Sequence, residues 1–165
     1  MTVAAYPTLN GYAPSWADIS TSATVYGGAL IEMSAYKSLD WSGTVEEGRQ
    51  QGPSGGRDML RTTGRVAYAA KSTFYRSGLR ALERALMAVA PTRGNQRLIS
   101  LVGFDVLVQH TPPGESDIYV VKLVACRLLS EAETYTEGVE AETSDVDLNP
   151  MYVAKIIDGV EVVLL

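Results

Sequence analysis

Two long apolar runs, Leu98 to Val108 and Ile118 to Leu129, constrain the fold more than any other feature of this 165-residue chain. A strand half-buried against a core alternates apolar and polar residues, because successive side chains point to opposite faces. Neither run does so. In the first, Leu98, Val102, Phe104, Val106 and Val108 share one parity with Ser100, while Ile99, Leu101 and Leu107 share the other with Gly103, Asp105 and Gln109. In the second, Ile118, Val120, Val124, Cys126 and Leu128 alternate with Tyr119, Val121, Leu123, Ala125 and Leu129, and the only charges are Lys122 and Arg127. Strands of this kind are buried on both sides, by a helix of the same domain or by a neighbouring subunit. A chain this short has little other surface with which to cover both. A partner is therefore expected.

The rest of the composition is that of one globular domain spanning residues 1–165, with 46% apolar and 20% charged residues. No segment is long and apolar enough to cross a bilayer as a helix. The start, Met1 to Pro7, has neither the basic residues nor the apolar core of a secretory signal, so retention in the cytoplasm where the chain is made is expected. Cys126 is a single thiol within an apolar strand, which leaves it without a disulfide partner in the chain and reads as a small buried hydrophobe.

Most of the chain reads as strand. Trp16 to Tyr26 is rich in β-branched and small polar residues, Gly27-Gly28 is a turn, and Ala29 to Lys37 and Leu39 to Val45 continue as paired strands. Glu46 to Gly64 is polar and glycine-rich and reads as a long loop, of the kind that is functional or ordered by a partner. A strand resumes from Arg65 to Tyr75. One helix, about residues 78–90, follows: Ser77 is a candidate N-cap, Leu79, Leu82, Leu86 and Val89 share one face, and Arg80, Arg84 and Met87 lie opposite. Pro91 and Gly94 end it. Thr111-Pro112-Pro113-Gly114 turns between the two apolar runs, and Asp158-Gly159 marks a hairpin between Tyr152–Ile157 and Val160–Leu165.

The net charge of -5 conceals a separation along the chain. Between Arg49 and Arg84 stand eight basic residues against Asp58 and Glu83, whereas Glu131 to Asp147 holds seven acidic residues and no base. Two solvated faces account for this, as does complementary docking between copies, or an acidic surface turned toward an anion that must not adhere.

Signatures of chemistry are few. Gly52-Pro53-Ser54-Gly55-Gly56 fits G-x-S-x-G, the turn that presents a serine nucleophile, but that motif follows a buried strand and opens a helix. Here polar residues precede it, and nothing in the sequence brings His110, the only histidine, to Ser54. A small serine hydrolase using Ser54 is the remote alternative. There is no phosphate-binding glycine loop, no calcium-loop spacing among the carboxylates, and a pI near 4.9 is wrong for a phosphate-binding surface. No catalytic residue, metal, cofactor or small-molecule ligand is expected.

Several short motifs occur in a telling order: Pro14-Ser15-Trp16-Ala17-Asp18-Ile19, then Ile31 to Lys37, then Gly52 to Arg57 with Thr62-Thr63-Gly64, one central helix, and finally Asp145 to Pro150 with Ile156-Ile157-Asp158-Gly159. This order resembles that of bacteriophage tail tube proteins, which are related in fold to type VI secretion tube proteins. The resemblance implies a mainly β fold, a β-sandwich or small barrel with one flanking helix. It implies homohexameric rings whose inner wall is a continuous β-barrel, stacked into the virion conduit for genome ejection after assembly in the host cytoplasm. Tape measure, tail completion and baseplate proteins are the implied partners, with a sheath protein where the tail contracts, and DNA passes through without specific binding. The family's basic loop pair corresponds to Arg57 and Arg61, which become candidate interface residues. Tube geometry makes Glu131, Glu133, Glu137, Glu140 and Glu142 candidates for an acidic lumen, because a basic wall would hold DNA by counterion release. The alternative within the same physics is the tube of a secretion or phage-tail-like injection system, or a tail completion protein.

Overall fold

A computed structural model describes residues 19–33, 35–51, 58–111, 118–133, 135 and 142–163. The chain begins as a hairpin, β1 (Ile19–Val25) and β2 (Leu30–Glu32), closed by Tyr26-Gly27-Gly28, where Gly27 takes a φ of 76° that suits glycine. Two long strands follow, β3 (Tyr36–Gln51) and β4 (Asp58–Tyr75), and then the helix α1 (Arg76–Val89). After a small hairpin of β5 (Thr92–Arg93) and β6 (Gln96–Arg97) come β7 (Phe104–His110), β8 (Tyr119–Cys126), β9 (Leu128–Glu133), β10 (Thr143–Leu148), β11 (Tyr152–Ile157) and β12 (Val160–Val163).

The strands make a six-stranded sheet in the order β12-β11-β8-β7-β1-β2 and a four-stranded sheet in the order β3-β4-β10-β9. Every pairing in both is antiparallel. One core joins them: Ala23, Phe104, Val106 and Leu123 from the larger sheet, Phe74, Val146 and Leu148 from the smaller, and Leu79, Leu82 and Leu86 from α1. The expected mainly β architecture with one flanking helix is thus the one observed.

The apolar runs are covered on one face within the domain. Val102, Phe104 and Val106 of the first run and Val121, Leu123 and Cys126 of the second are buried in the core, while Leu107, Val120 and Val124 on the outer face are half-buried. The first run is not one strand: Ile99–Leu101 is a 3-10 turn, and β7 starts at Phe104. Gly103 marks the junction, since a Cβ there would lie 2.9 Å from the Tyr26 ring, whose backbone N–H donates to the Gly103 carbonyl at 3.0 Å.

Strict alternation put Cys126 with Val120 and Val124, on the face opposite Val121 and Leu123. The structure turns it inward with Leu123, because a β-bulge sets Val124 and Ala125 against Asp105 alone and shifts parity by one. Ala125 holds the bulge at φ 52°, an unusual conformation for a residue other than glycine. The Asp105 carboxylate secures it, accepting the Ala125 N–H at 2.9 Å and the Tyr26 hydroxyl, with Lys122 Nζ 3.4 Å away. Burial pushes the Asp105 carboxyl up, but the Ala125 N–H, the Tyr26 hydroxyl and Lys122 outweigh it and hold it below its ordinary value. The chain then passes to the other sheet at Arg127, whose carbonyl accepts the Asn149 N–H at 3.0 Å where the chain later returns.

Three further expectations need correction. Residues 29–37 and 39–45 do not pair with each other: β2 pairs with β1, and β3 pairs with β4 in the second sheet. Ser77 does not cap the helix. The N-cap is Tyr75, without a side-chain bond, and the chain runs directly from β4 into α1, where the Arg76 N–H finds its acceptor in the Glu142 carbonyl at 3.4 Å, just before β10.

The long loop from Glu46 to Gly64 is mostly strand. Pairing of β3 with β4 continues from Val45↔Val66 to Gln51↔Asp58, and residues 52–57 fall outside the described residues. A two-stranded ribbon satisfies its own backbone across one ladder and needs no apolar face, so polarity and glycine content misled. The glycines mark close approach: a Cβ on Gly64 would lie 2.8 Å from the Glu46 carbonyl oxygen. Because β10 flanks β4 only from Ala70 to Tyr75 and Tyr68 still packs against the core, the hairpin beyond Tyr68 extends roughly 30 Å at the usual rise of a strand.

Candidate assembly surfaces

One face of the four-stranded sheet packs on the core and the other is open. Parity and register give the open face its rows. Asp40, Lys71, Asp147 and Ser130 lie side by side across β3, β4, β10 and β9, and Thr73, Asp145 and Ala132 form the next row. Further along β3 and β4, exposed Ser42 and Thr44 face exposed Ala69 and Ala67. The rows are tied laterally: Thr73 Oγ1 donates to Asp145 at 2.7 Å, Lys71 Nζ stands 3.5 Å from the same carboxylate, and Ser130 Oγ donates to Asp147 at 2.5 Å. The Thr73 hydroxyl, with Lys71 and Lys37 nearby, holds the Asp145 carboxyl below its ordinary value despite a small opposing effect of burial.

The result is a smooth wall of short polar side chains with more carboxylates than ammonium groups, edged by exposed Tyr75 and by Leu129, which a bulge between Asp147 and Leu148 leaves unpaired. Among the described residues, the outer edges of β3 and β9 have no strand beside them. Exposed edges are templates for pairing with another chain.

The acidic candidates separate. Glu131 and Glu133 pair with Val146 and Ser144 and therefore lie on the core side of edge strand β9, opposite Asp145 and Asp147. Burial, and then the carboxylates of Glu83 on α1 and of Glu133, push the Glu131 carboxyl up. Glu142 forms an ion pair with Arg76, which also stacks over the Tyr135 ring at 5.0 Å. Glu137 and Glu140 lie outside the described residues. So does Arg57, while Arg61 lies in β4 opposite Arg49. Ser54 is outside as well, and His110 ends β7 between Ile19 and Tyr119. No group of three or more metal-ligating side chains occurs among the described residues. Asp40, Asp145 and Asp147 share the open face; their alternation along the strands was visible in the sequence, but which face stays open was not.

No family model matches the chain, and no curated protein matches it either. Solved structures do. A chain of the six-fold symmetrised baseplate of the anti-feeding prophage superposes with a TM-score of 0.60 at 9% identity, over 97% of this chain and all (100%) of that one. The SPP1 tail tube gives 0.57 at 16% identity, over 89% of this chain and 82% of that one. This chain has the tail-tube fold. The same tail-tube fold appears in the sheath-tube complex of the extracellular contractile injection system PVC, at a TM-score of 0.51 and 13% identity, over 93% of this chain and 94% of that one. At these identities the likeness is one of fold.

Proposed function

We propose that the chain is the repeating subunit of a tube in a phage-tail-like injection system, assembled as stacked hexameric rings with the open face of the four-stranded sheet turned to the lumen. The observation that carries this is the pairing of that polar, short-side-chain wall with two free strand edges, β3 and β9, on a tail-tube fold. Edge-to-edge addition of copies continues the ladder, satisfies the exposed backbone groups and closes the sheet on itself. In this arrangement Asp40, Asp145 and Asp147 line the lumen, while Glu131 and Glu133 lie at the seam between copies. The projecting hairpin of β3 and β4, which carries Arg61, reaches the next ring, and Arg57 and Arg61 are the residues proposed for that contact. Baseplate, completion and sheath components are the partners proposed for such a tube, and the assembled particle is its location.

Two superpositions come from an extracellular contractile injection system and two from the anti-feeding prophage, in its baseplate and its tube-terminating cap, which supports a phage-tail-like setting. A virion tail tube conducting DNA, with a tape measure protein as its length gauge, is the second reading, supported by the SPP1 likeness and by the excess of carboxylates on the open face. Electron microscopy of the purified protein at high concentration tests the shared claim: rings or tubes with six-fold symmetry are expected, and a compact monomer throughout would refute it. The orientation is tested by single cysteines. In assembled tubes a cysteine replacing Asp145 should react with a small maleimide and be shielded from a bulky polymer-linked one. Equal reaction with both would put that face outside.

A further inference from the structure

The charges of α1 are placed where they do little for the helix itself. Arg80, Arg84 and Met87 follow at i, i+4 and i+7 in one exposed stripe, opposite the buried Leu79, Leu82 and Leu86. Like charges at that spacing repel. Helix ends favour acidic residues in the first turn and basic ones in the last, and α1 has neither. Its one carboxylate, Glu83, is turned toward Glu131. Beyond the helix, β5 and β6 add exposed Arg93 and Arg97, and Arg97 Nη1 donates to the Met87 carbonyl at 3.0 Å, drawing the small hairpin onto the end of the stripe. Met87 is 48% exposed. Among the described residues Arg80, Arg84 and Arg93 have no ion-pair partner, whereas Lys71, Arg76 and Lys122 each have one. A chain of net charge -5 thus places two unpaired guanidinium groups in one helix stripe that ends in an exposed methionine.

We infer that this surface, formed by the outer face of α1 and the β5–β6 hairpin, docks an acidic polypeptide segment of another protein. Its carboxylates meet Arg80 and Arg84, and its apolar side chains cover Met87. Charge complementarity selects an acidic partner, since guanidinium groups bind carboxylates in paired hydrogen bonds. The exposed methionine selects a polypeptide, which brings apolar side chains as well as charge. The surface lies on the core side of the four-stranded sheet, away from the open face, and exists in the single subunit, so it does not depend on tube formation.

The test uses the full chain and a fluorescent helical peptide with glutamates flanking a leucine stripe. Binding is measured by anisotropy against salt, with polyglutamate, duplex DNA and phosphatidylglycerol vesicles as comparators. The peptide should bind most tightly, weaken as salt rises, and lose at least tenfold in affinity in Arg80→Glu/Arg84→Glu; Arg84→Glu alone, expected to weaken binding by a smaller factor, gives a second reading should the double variant fold poorly. The control Arg127→Glu, an exposed arginine outside the stripe, should bind as the parent does. Undiminished binding in the reversed variants, equal loss in the control, or tighter binding of DNA or vesicles would each overturn the inference. Loss of self-assembly in a folded reversed variant would overturn it in favour of a second copy as the occupant.

Discussion

Replacing Asp105 with alanine removes the acceptor that holds the β8 bulge. The Ala125 N–H loses its 2.9 Å bond, Lys122 loses a partner 3.4 Å away, and the Tyr26 hydroxyl loses its acceptor. A hydrogen bond to an ionised acceptor is worth about 1.5–3 kcal/mol, and a partly exposed ion pair adds about 0.5 kcal/mol. Tyr26 is 46% exposed and can turn to water, so its bond contributes little to the total. The expected loss is about 2–3 kcal/mol, or roughly 5–10 °C in Tm for a chain of this size. Urea denaturation of the dissociated subunit, followed through the half-buried Trp41, measures it. The pH dependence provides a second reading. A carboxyl held below its ordinary 3.8 in the folded chain stabilises fully above that value, and the contribution fades as pH falls through the folded pKa. The gap between parent and variant should therefore persist at neutral pH and close only in strong acid. At the other extreme, the hydrogen bond to Asp105, with some burial, pushes the Tyr26 hydroxyl from 10 up to about 12. Its contribution is complete below 10 and is lost as pH rises through about 12. A neutral-pH loss under about 0.5 kcal/mol would refute the bulge-anchoring role.

Gly78→Ala should destabilise by about 2 kcal/mol despite alanine's better helix propensity, because its Cβ would lie 2.2 Å from the Ala35 carbonyl oxygen; a raised Tm would show that α1 is not seated there. Burial pushes the Cys126 thiol up to about 12, so Ellman's reagent near neutral pH should label it only in denaturant, and rapid native labelling would place it at the surface. Phe104→Ala, at a fully buried site, should cost about 3–5 kcal/mol in chemical denaturation. Arg57→Ala/Arg61→Ala should change stability by less than about 0.5 kcal/mol yet impair tube formation in micrographs, and normal tubes would remove the hairpin from the proposed contact between rings.

What the sequence made legible was periodic and local. The leucine spacing of α1 and the Gly27-Gly28 and Asp158-Gly159 turns follow from short-range geometry and were found where expected, whereas the apolar runs are strands only from Phe104 and Tyr119 onward, the second broken at Arg127 between the two sheets. The failures share a cause. Polar composition hid the β3–β4 ribbon because its strands are stabilised by each other rather than by a core. Alternation misplaced Cys126 because one left-handed residue, Ala125, resets parity without any glycine to announce it.

The sequence by itself determined that this chain makes strands joined by tight turns and one amphipathic helix, since each of these depends on local spacing. Only the tertiary structure decided which strands share a sheet, that β2 and β3 belong to different ones, and which of the acidic residues stand together. Asp40 lies far from Asp145 and Asp147 in the chain and joins their face through cross-strand register at Lys71, while Glu131 and Glu133, much nearer to them in sequence, face the opposite way. The physical reason is that a strand's pattern fixes two faces but does not say which of them the rest of the molecule will cover. That choice belongs to long-range packing.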